Sequence, residues 1–168
     1  MTAASPQVGY VTVLMGGNDL CVPTLADMTD PGVFESRVQA ALTGFFQRDP
    51  NGLMLVASIP DLYRLWQLER FDPWAEFVWN TFGVCPTMLS ITNSEAQRLQ
   101  VVAQEQLLNQ TLSKVCGEFA NCLWDNYAVY NTSFSTADIS PVDHYHPSVA
   151  GQRLLASVTW RAGFWGKS

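Results

Sequence analysis

The sequence has 168 residues, enough for one domain with a sizeable core, and its 48% hydrophobic content is that of a globular chain. Charged residues make up only 14% and aromatics 12%, with six Trp, so the chain either buries itself well or keeps apolar surface for a ligand or partner. The formal net charge is −6 and the nine Lys and Arg form no run, which excludes a nucleic-acid partner, whose phosphates require clustered cations.

The first residues, Met1-Thr2-Ala3-Ala4-Ser5-Pro6, carry no basic segment and no apolar stretch of the kind a signal peptide needs. Val8–Met15 is β-rich, nearly all apolar, and stops at Gly16-Gly17, the pattern of a strand buried on both faces of a parallel sheet. Pro31–Phe46 reads as a helix with a first-turn proline behind Thr29 and Asp30, its apolar face being Phe34, Val38, Ala41, Leu42 and Phe45. Leu53–Ile59 is a second buried strand, ended by Pro60. The aromatic-rich stretch Leu62–Phe82 reads as two helical pieces around Asp72-Pro73, either an apolar pocket or lid or a plain helical core. Asn93-Ser94-Glu95 opens a long helix through Val115, with Leu99, Val102, Ala103 and Leu107 near helical spacing. Tyr127–Phe134 is a candidate third strand, and Ser148–Ala162 a final helix with Val149, Leu154, Leu155 and Val158 on its apolar face. This alternation predicts an α/β layered fold with a parallel sheet. The apolar runs are of strand length, so no membrane span is expected.

Four Cys stand at 21, 85, 116 and 122. Their spacing lacks the paired C-x-x-C of a zinc site, and an even count with one close pair fits two disulfides in an oxidising compartment. Of the three connectivities, Cys116–Cys122 with Cys21–Cys85 is preferred, because each bond would tie a loop beside an element end.

Two segments carry candidate chemistry. Gly16-Gly17-Asn18-Asp19 follows the first strand, where ligands bind in open α/β sheets, and Asn18 offers a neutral NH₂ donor suited to an oxyanion. Locally the same residues also read as a strand-to-loop turn with Asn and Asp as cap residues. Asp143-His144-Tyr145-His146-Pro147 precedes the final helix, and an Asp three residues before a His can orient its ring, the base-plus-orienter half of a Ser-His-Asp arrangement. The alternatives are that Asp143 and His146 cap the helix, or bind a metal with His144. Convergence of two His and one Asp from one short loop on a tetrahedral ion is rare, so no metal and no cofactor are expected.

In this order, on strand ends of an α/β chain, the two segments resemble the third and fourth signature blocks of the SGNH hydrolases, also called GDSL lipases and esterases. The stretches VTVLMGGNDLC, VASIPD and DHYHPSVAGQRLLA are similar to secreted actinobacterial members, and the resemblance covers most of the chain. It implies a three-layer α/β/α, flavodoxin-like parallel sheet and hydrolysis of carboxylic esters, with a small-molecule or lipid ester as substrate. Asn18 would donate to the oxyanion. His146 would take the proton of a serine nucleophile and pass it to the leaving alcohol, and Asp143 would fix the His146 tautomer. Asp19, His144 and Tyr145 have no clear catalytic role in that family and are expected to be structural or wall-forming.

The resemblance has a gap. The family's Gly-Asp-Ser block lies well upstream of the Asn block, yet no GDS or GxS occurs among the 17 residues before Asn18, and Ser5, Ser58 and Ser94 do not fit its pattern. The second block's Gly is also absent. The chain is therefore expected to be the C-terminal part of a secreted, monomeric enzyme, lacking the first two strands and inactive by itself, with Met1–Gln7 the tail of a connecting segment. Two other readings stand beside this one. The domain could be a binding or interaction module that kept the cleft without the nucleophile, or a partner chain could supply the serine.

Overall fold

The computed structural model describes residues 9–166. Val8, Ser5 and the segment Met1–Gln7 lie outside the described residues. The chain forms an α/β fold around a three-stranded parallel sheet, β1 (Tyr10–Leu14), β2 (Leu53–Ala57) and β3 (Cys122–Trp124), in the order β1-β2-β3. Tyr10 pairs with Leu53 and Leu14 with Ala57, and Met54 pairs with Cys122. The central strand is buried from Met54 to Ala57, as an apolar run without alternation requires.

Among the described residues seven α-helices accompany the strands: α1 (Gly17–Leu20), α2 (Pro31–Arg48), α3 (Leu62–Glu69), α4 (Pro73–Phe82), α5 (Pro86–Leu89), α6 (Glu95–Cys116) and α7 (Val149–Ala162). The start of α2 obeys local chemistry, with Asp30 accepting from the Gly32 and Val33 amides and Pro31 in the first turn. Asp72 caps α4 in the same way ahead of Pro73, which is why the aromatic stretch divides there. At the head of α6, Ser94 and Gln97 form a reciprocal capping box.

One face of the sheet, carrying Val13, Met54 and Val56, packs into the main core with Val38 and Leu42 of α2 and Val101, Leu108 and Leu112 of α6. On the opposite face Ala57 meets Val129 and Leu155 of α7. Helices thus cover both faces. Two disulfides brace the frame, Cys21–Cys85 across 64 residues and Cys116–Cys122 between the end of α6 and β3, the connectivity expected.

Four expectations need correction. The strand within Val8–Met15 is not buried on both faces: β1 lies at the edge of the described sheet, with Thr12 and Leu14 exposed and Tyr10, Val11 and Val13 half-buried. The third strand is Cys122–Trp124, not Tyr127–Phe134. Asp125 still bonds the Val56 carbonyl through its amide, but Asn126 and Tyr127 adopt φ of 53° and 62°, and the Asp125 carboxylate collects the Tyr127 and Val129 amides, winding the chain into turns. On α6 the buried stripe runs through Val101, Glu105, Leu108, Leu112 and Val115, so Leu99, Ala103 and Leu107 face outward and Val102 is half-buried. On α7 and α2 the expected stripes hold apart from Val149 and Ala41, which are exposed. Among the described residues, no helix is long and apolar enough to cross a membrane.

Candidate active site

The carboxyl ends of β1 and β2 open onto a cavity of about 490 Å³, lined from one side by Leu14 to Asp19, from another by Ile59 to Leu62 with Leu65 and Leu68, and from a third by Ile139 and Tyr145 to Pro147. Asn18 and His146, 128 residues apart in sequence, both line it. The position is the one that parallel α/β sheets reserve for ligands.

Gly16 makes the first wall possible. Its φ is +110°, in the left-handed region, and a Cβ there would lie 2.5 Å from Ile59 Cδ1. The turn is tied from behind by the Asp19 amide donating to Gly16 O, and by Thr29, whose hydroxyl donates to Asp19 Oδ1 at 2.8 Å and whose amide donates to Asp19 O. Arg37 stands 3.9 Å from the same carboxylate. Asp19 is thereby structural, as expected. The exposed Asn18 carboxamide has no hydrogen-bond partner among the described residues and remains available as a donor at the cavity.

The facing wall is the loop before α7. Asp143 Oδ1 accepts from the Tyr145 and His146 amides, which curls the chain so that the His146 ring returns to Oδ2, with Nδ1 at 2.6 Å. A carboxylate acceptor at that distance places the proton on Nδ1, so Nε2 is the basic nitrogen, and it has no partner among the described residues. Burial pushes the Asp143 carboxyl up, but the bonds from the His146 ring and the two amides, with the charge of the ring, outweigh it and hold the group below its ordinary range. The helix-cap alternative does not hold, because Ser148 caps α7 by accepting from Gly151. Gly151 is needed there, since a Cβ would come within 2.1 Å of Asp138 O.

Tyr145 reaches back to the first wall. Its hydroxyl donates to Cys21 Sγ at 3.2 Å, the sulfur having no proton in the Cys21–Cys85 bond, and burial pushes its pKa up to about 12. His144 points away from the cavity into the protein, where Nδ1 meets Glu69 Oε2 at 2.9 Å. The two His therefore do not converge on one ion. Among the described residues, the group that brings ligand-type atoms within 4.8 Å of one another is Glu69, Asp72 and His144, and there Glu69 already pairs with His144 while Asp72 caps α4.

Two buried polar residues that the sequence did not single out hold the wall from Ile59 to Leu62. Asn109 Oδ1 accepts from the Ile59 amide at 2.8 Å, and Glu105 Oε1 from that of Leu62 at 3.4 Å. Burial, reinforced by Asp61, pushes the Glu105 carboxyl well above its ordinary range.

No Ser, Thr or Cys is among the residues lining the cavity. Ser58 is fully buried between Asp125 and the Tyr130 amide, and Ser94 caps α6. The chain matches no protein-family model and no curated protein.

Proposed function

We propose that residues 9–166 carry the base and oxyanion half of a serine ester hydrolase site of the SGNH type. The observation that carries the reading is the meeting of Asn18 and the Asp143–His146 pair at one cavity on the strand ends. The nucleophile is a serine from outside the described residues, either from an upstream segment of the same polypeptide or from a partner chain. β1 has β2 on one side and no strand on the other among the described residues, and Leu14 at its end is half exposed, an edge suited to receiving a further strand.

In the proposed reaction the serine Oγ attacks the acyl carbonyl while His146 Nε2 takes the hydroxyl proton. Asp143 keeps the ring in the Nδ1–H tautomer and stabilises the imidazolium. The Asn18 amide donates to the oxyanion as the carbonyl becomes tetrahedral. Collapse expels the alkoxide, which takes its proton from His146, and water releases the acid by the reverse sequence. The leucines at 62, 65 and 68 offer an apolar wall to an acyl chain. Two disulfides accord with an extracellular location.

A fluorophosphonate probe, which captures an activated serine, tests the reading. The described chain alone should remain unlabelled. The product of the longest reading frame containing it should be labelled on one serine outside residues 9–166, and His146→Ala should abolish labelling. Labelling that persists in His146→Ala would overturn the assignment. A soluble monomer of the longest product that neither reacts with the probe nor cleaves p-nitrophenyl esters would instead favour the second reading, a binding domain that retains the cleft.

A further inference from the structure

Resting on the reading of His146 as the base, we infer that Glu69 and Trp79 are positioning residues that act on the Asp143–His146 pair through His144. The pair is built on a loop whose outer side is solvent, with Val142 80% exposed and the His146 side chain 70% exposed. On its own a four-residue turn of this kind would sample many arrangements, because each free backbone residue has considerable conformational entropy to lose. The inner side is tied by the Tyr145 hydroxyl on Cys21 and by the Ser140 amide on the His146 carbonyl, but the residue between Asp143 and Tyr145 carries the anchors that reach α3 and α4. His144 lies between Asp143 and His146 in sequence, is only 7% exposed, and adopts a left-handed φ of 52°.

Three bonds hold that conformation. The His144 amide donates to Ser140 O at 2.9 Å, which only closes the loop on itself. The other two come from distant elements. Trp79 of α4 donates its indole N–H to the His144 carbonyl at 2.9 Å, and Glu69 at the end of α3 takes the ring Nδ1 at 2.9 Å. Both partners are buried, Trp79 at 2% and Glu69 at 5% exposure, so water does not compete for these bonds. The backbone of His144 is fixed through its carbonyl and its side chain through its ring. The direction in which the chain leaves toward His146 is set by that anchor, and so is the reach of the His146 ring to Asp143 Oδ2.

A role limited to the fold would leave the His146 ring unchanged once the protein has folded, whereas a positioning role moves its tautomer. An unconstrained histidine side chain favours the Nε2–H form, and the Asp143 acceptor selects Nδ1–H by bonding the Nδ1 position. With two His in the sequence, ring ¹⁵N shifts of ¹⁵N-histidine-labelled chain read both rings directly. Wild type should show His146 as Nδ1–H, and Asp143→Asn should lose that preference. Glu69→Gln and Trp79→Phe, each checked for folding by circular dichroism, should shift the His146 tautomer ratio about tenfold toward Nε2–H, a shift of the size a hydrogen bond to a charged group can supply. Retention of the wild-type ratio in both folded variants would overturn the inference and leave the catalytic reading standing. An Nε2–H His146 in wild type would remove the catalytic reading itself. Unfolding of both variants would assign Glu69 and Trp79 to the fold and also overturn the positioning role.

Discussion

Asp143 carries three bonds on one side chain, two from backbone amides and one from the His146 ring, and these hold its folded pKa below its ordinary value of 3.8. A carboxyl lowered in this way stabilises the folded loop above its unfolded pKa and loses that contribution as pH falls through the folded value. The loop should therefore keep its geometry down to about pH 4 and release it only in stronger acid. His146 Nδ1–H protection followed by NMR between pH 6 and pH 2 checks this, and loss of the bond already at pH 5 would contradict it. The Asp-x-x-His and Gly-Gly-Asn-Asp segments were legible in the sequence because their geometry is local. Asx-type bonds to the next residues and a left-handed glycine are encoded within four positions. Glu69 and Trp79 were not legible, because they meet His144 from 75 and 65 residues away, and a Glu at a helix end ordinarily faces solvent.

Helix α6 shows the same limit at the scale of an element. Its start follows from the Ser94–Gln97 capping box, but its inward face does not follow from apolar spacing. Leu99 and Leu107 look like core residues and are exposed, while Glu105 and Asn109 occupy the buried stripe. The two polar side chains bind the amides of Ile59 and Leu62, which the end of β2 leaves unpaired, so tertiary hydrogen bonding outweighs the hydrophobic pattern. Glu105 is fully buried, and its carboxyl is raised by burial. For a carboxyl with a raised folded pKa, stability is greatest below the unfolded value and declines as pH rises through the folded one. Glu105→Gln removes that titration. The melting temperature of the variant relative to wild type should therefore rise steadily as pH increases from 5, and a constant difference from pH 5 to pH 9 would show that the folded protein does not raise the Glu105 pKa. The third strand was misplaced for a related reason. Tyr127–Phe134 has strand-like composition, but Asp125 gathers the following amides and turns the chain before that segment can extend.

At the scale of the molecule, the α/β class, the first two strands and the disulfide pairing were readable, because alternation of apolar runs and helices leaves few topologies for a parallel sheet. The site is assembled only by that topology. The turn after β1 and the loop before α7 come from opposite ends of the chain, and the sheet brings both to its carboxyl edge. Cys21–Cys85 secures the first of these walls to the region following α4, and Tyr145 rests on its sulfur from the second. Both halves of the cavity are thus fixed to the same frame, the preorganisation that the proposed stabilisation of an oxyanion calls for.

The most direct test is steady-state hydrolysis of p-nitrophenyl butyrate by the longest product of the reading frame, compared with His146→Ala and Asn18→Ala. With Asn18 as an oxyanion donor and His146 as the base, kcat should fall about 10²–10³-fold for Asn18→Ala and at least as far for His146→Ala, with KM little changed. Ester hydrolysis at the wild-type rate in either variant would contradict the assignment of this cavity as the catalytic site.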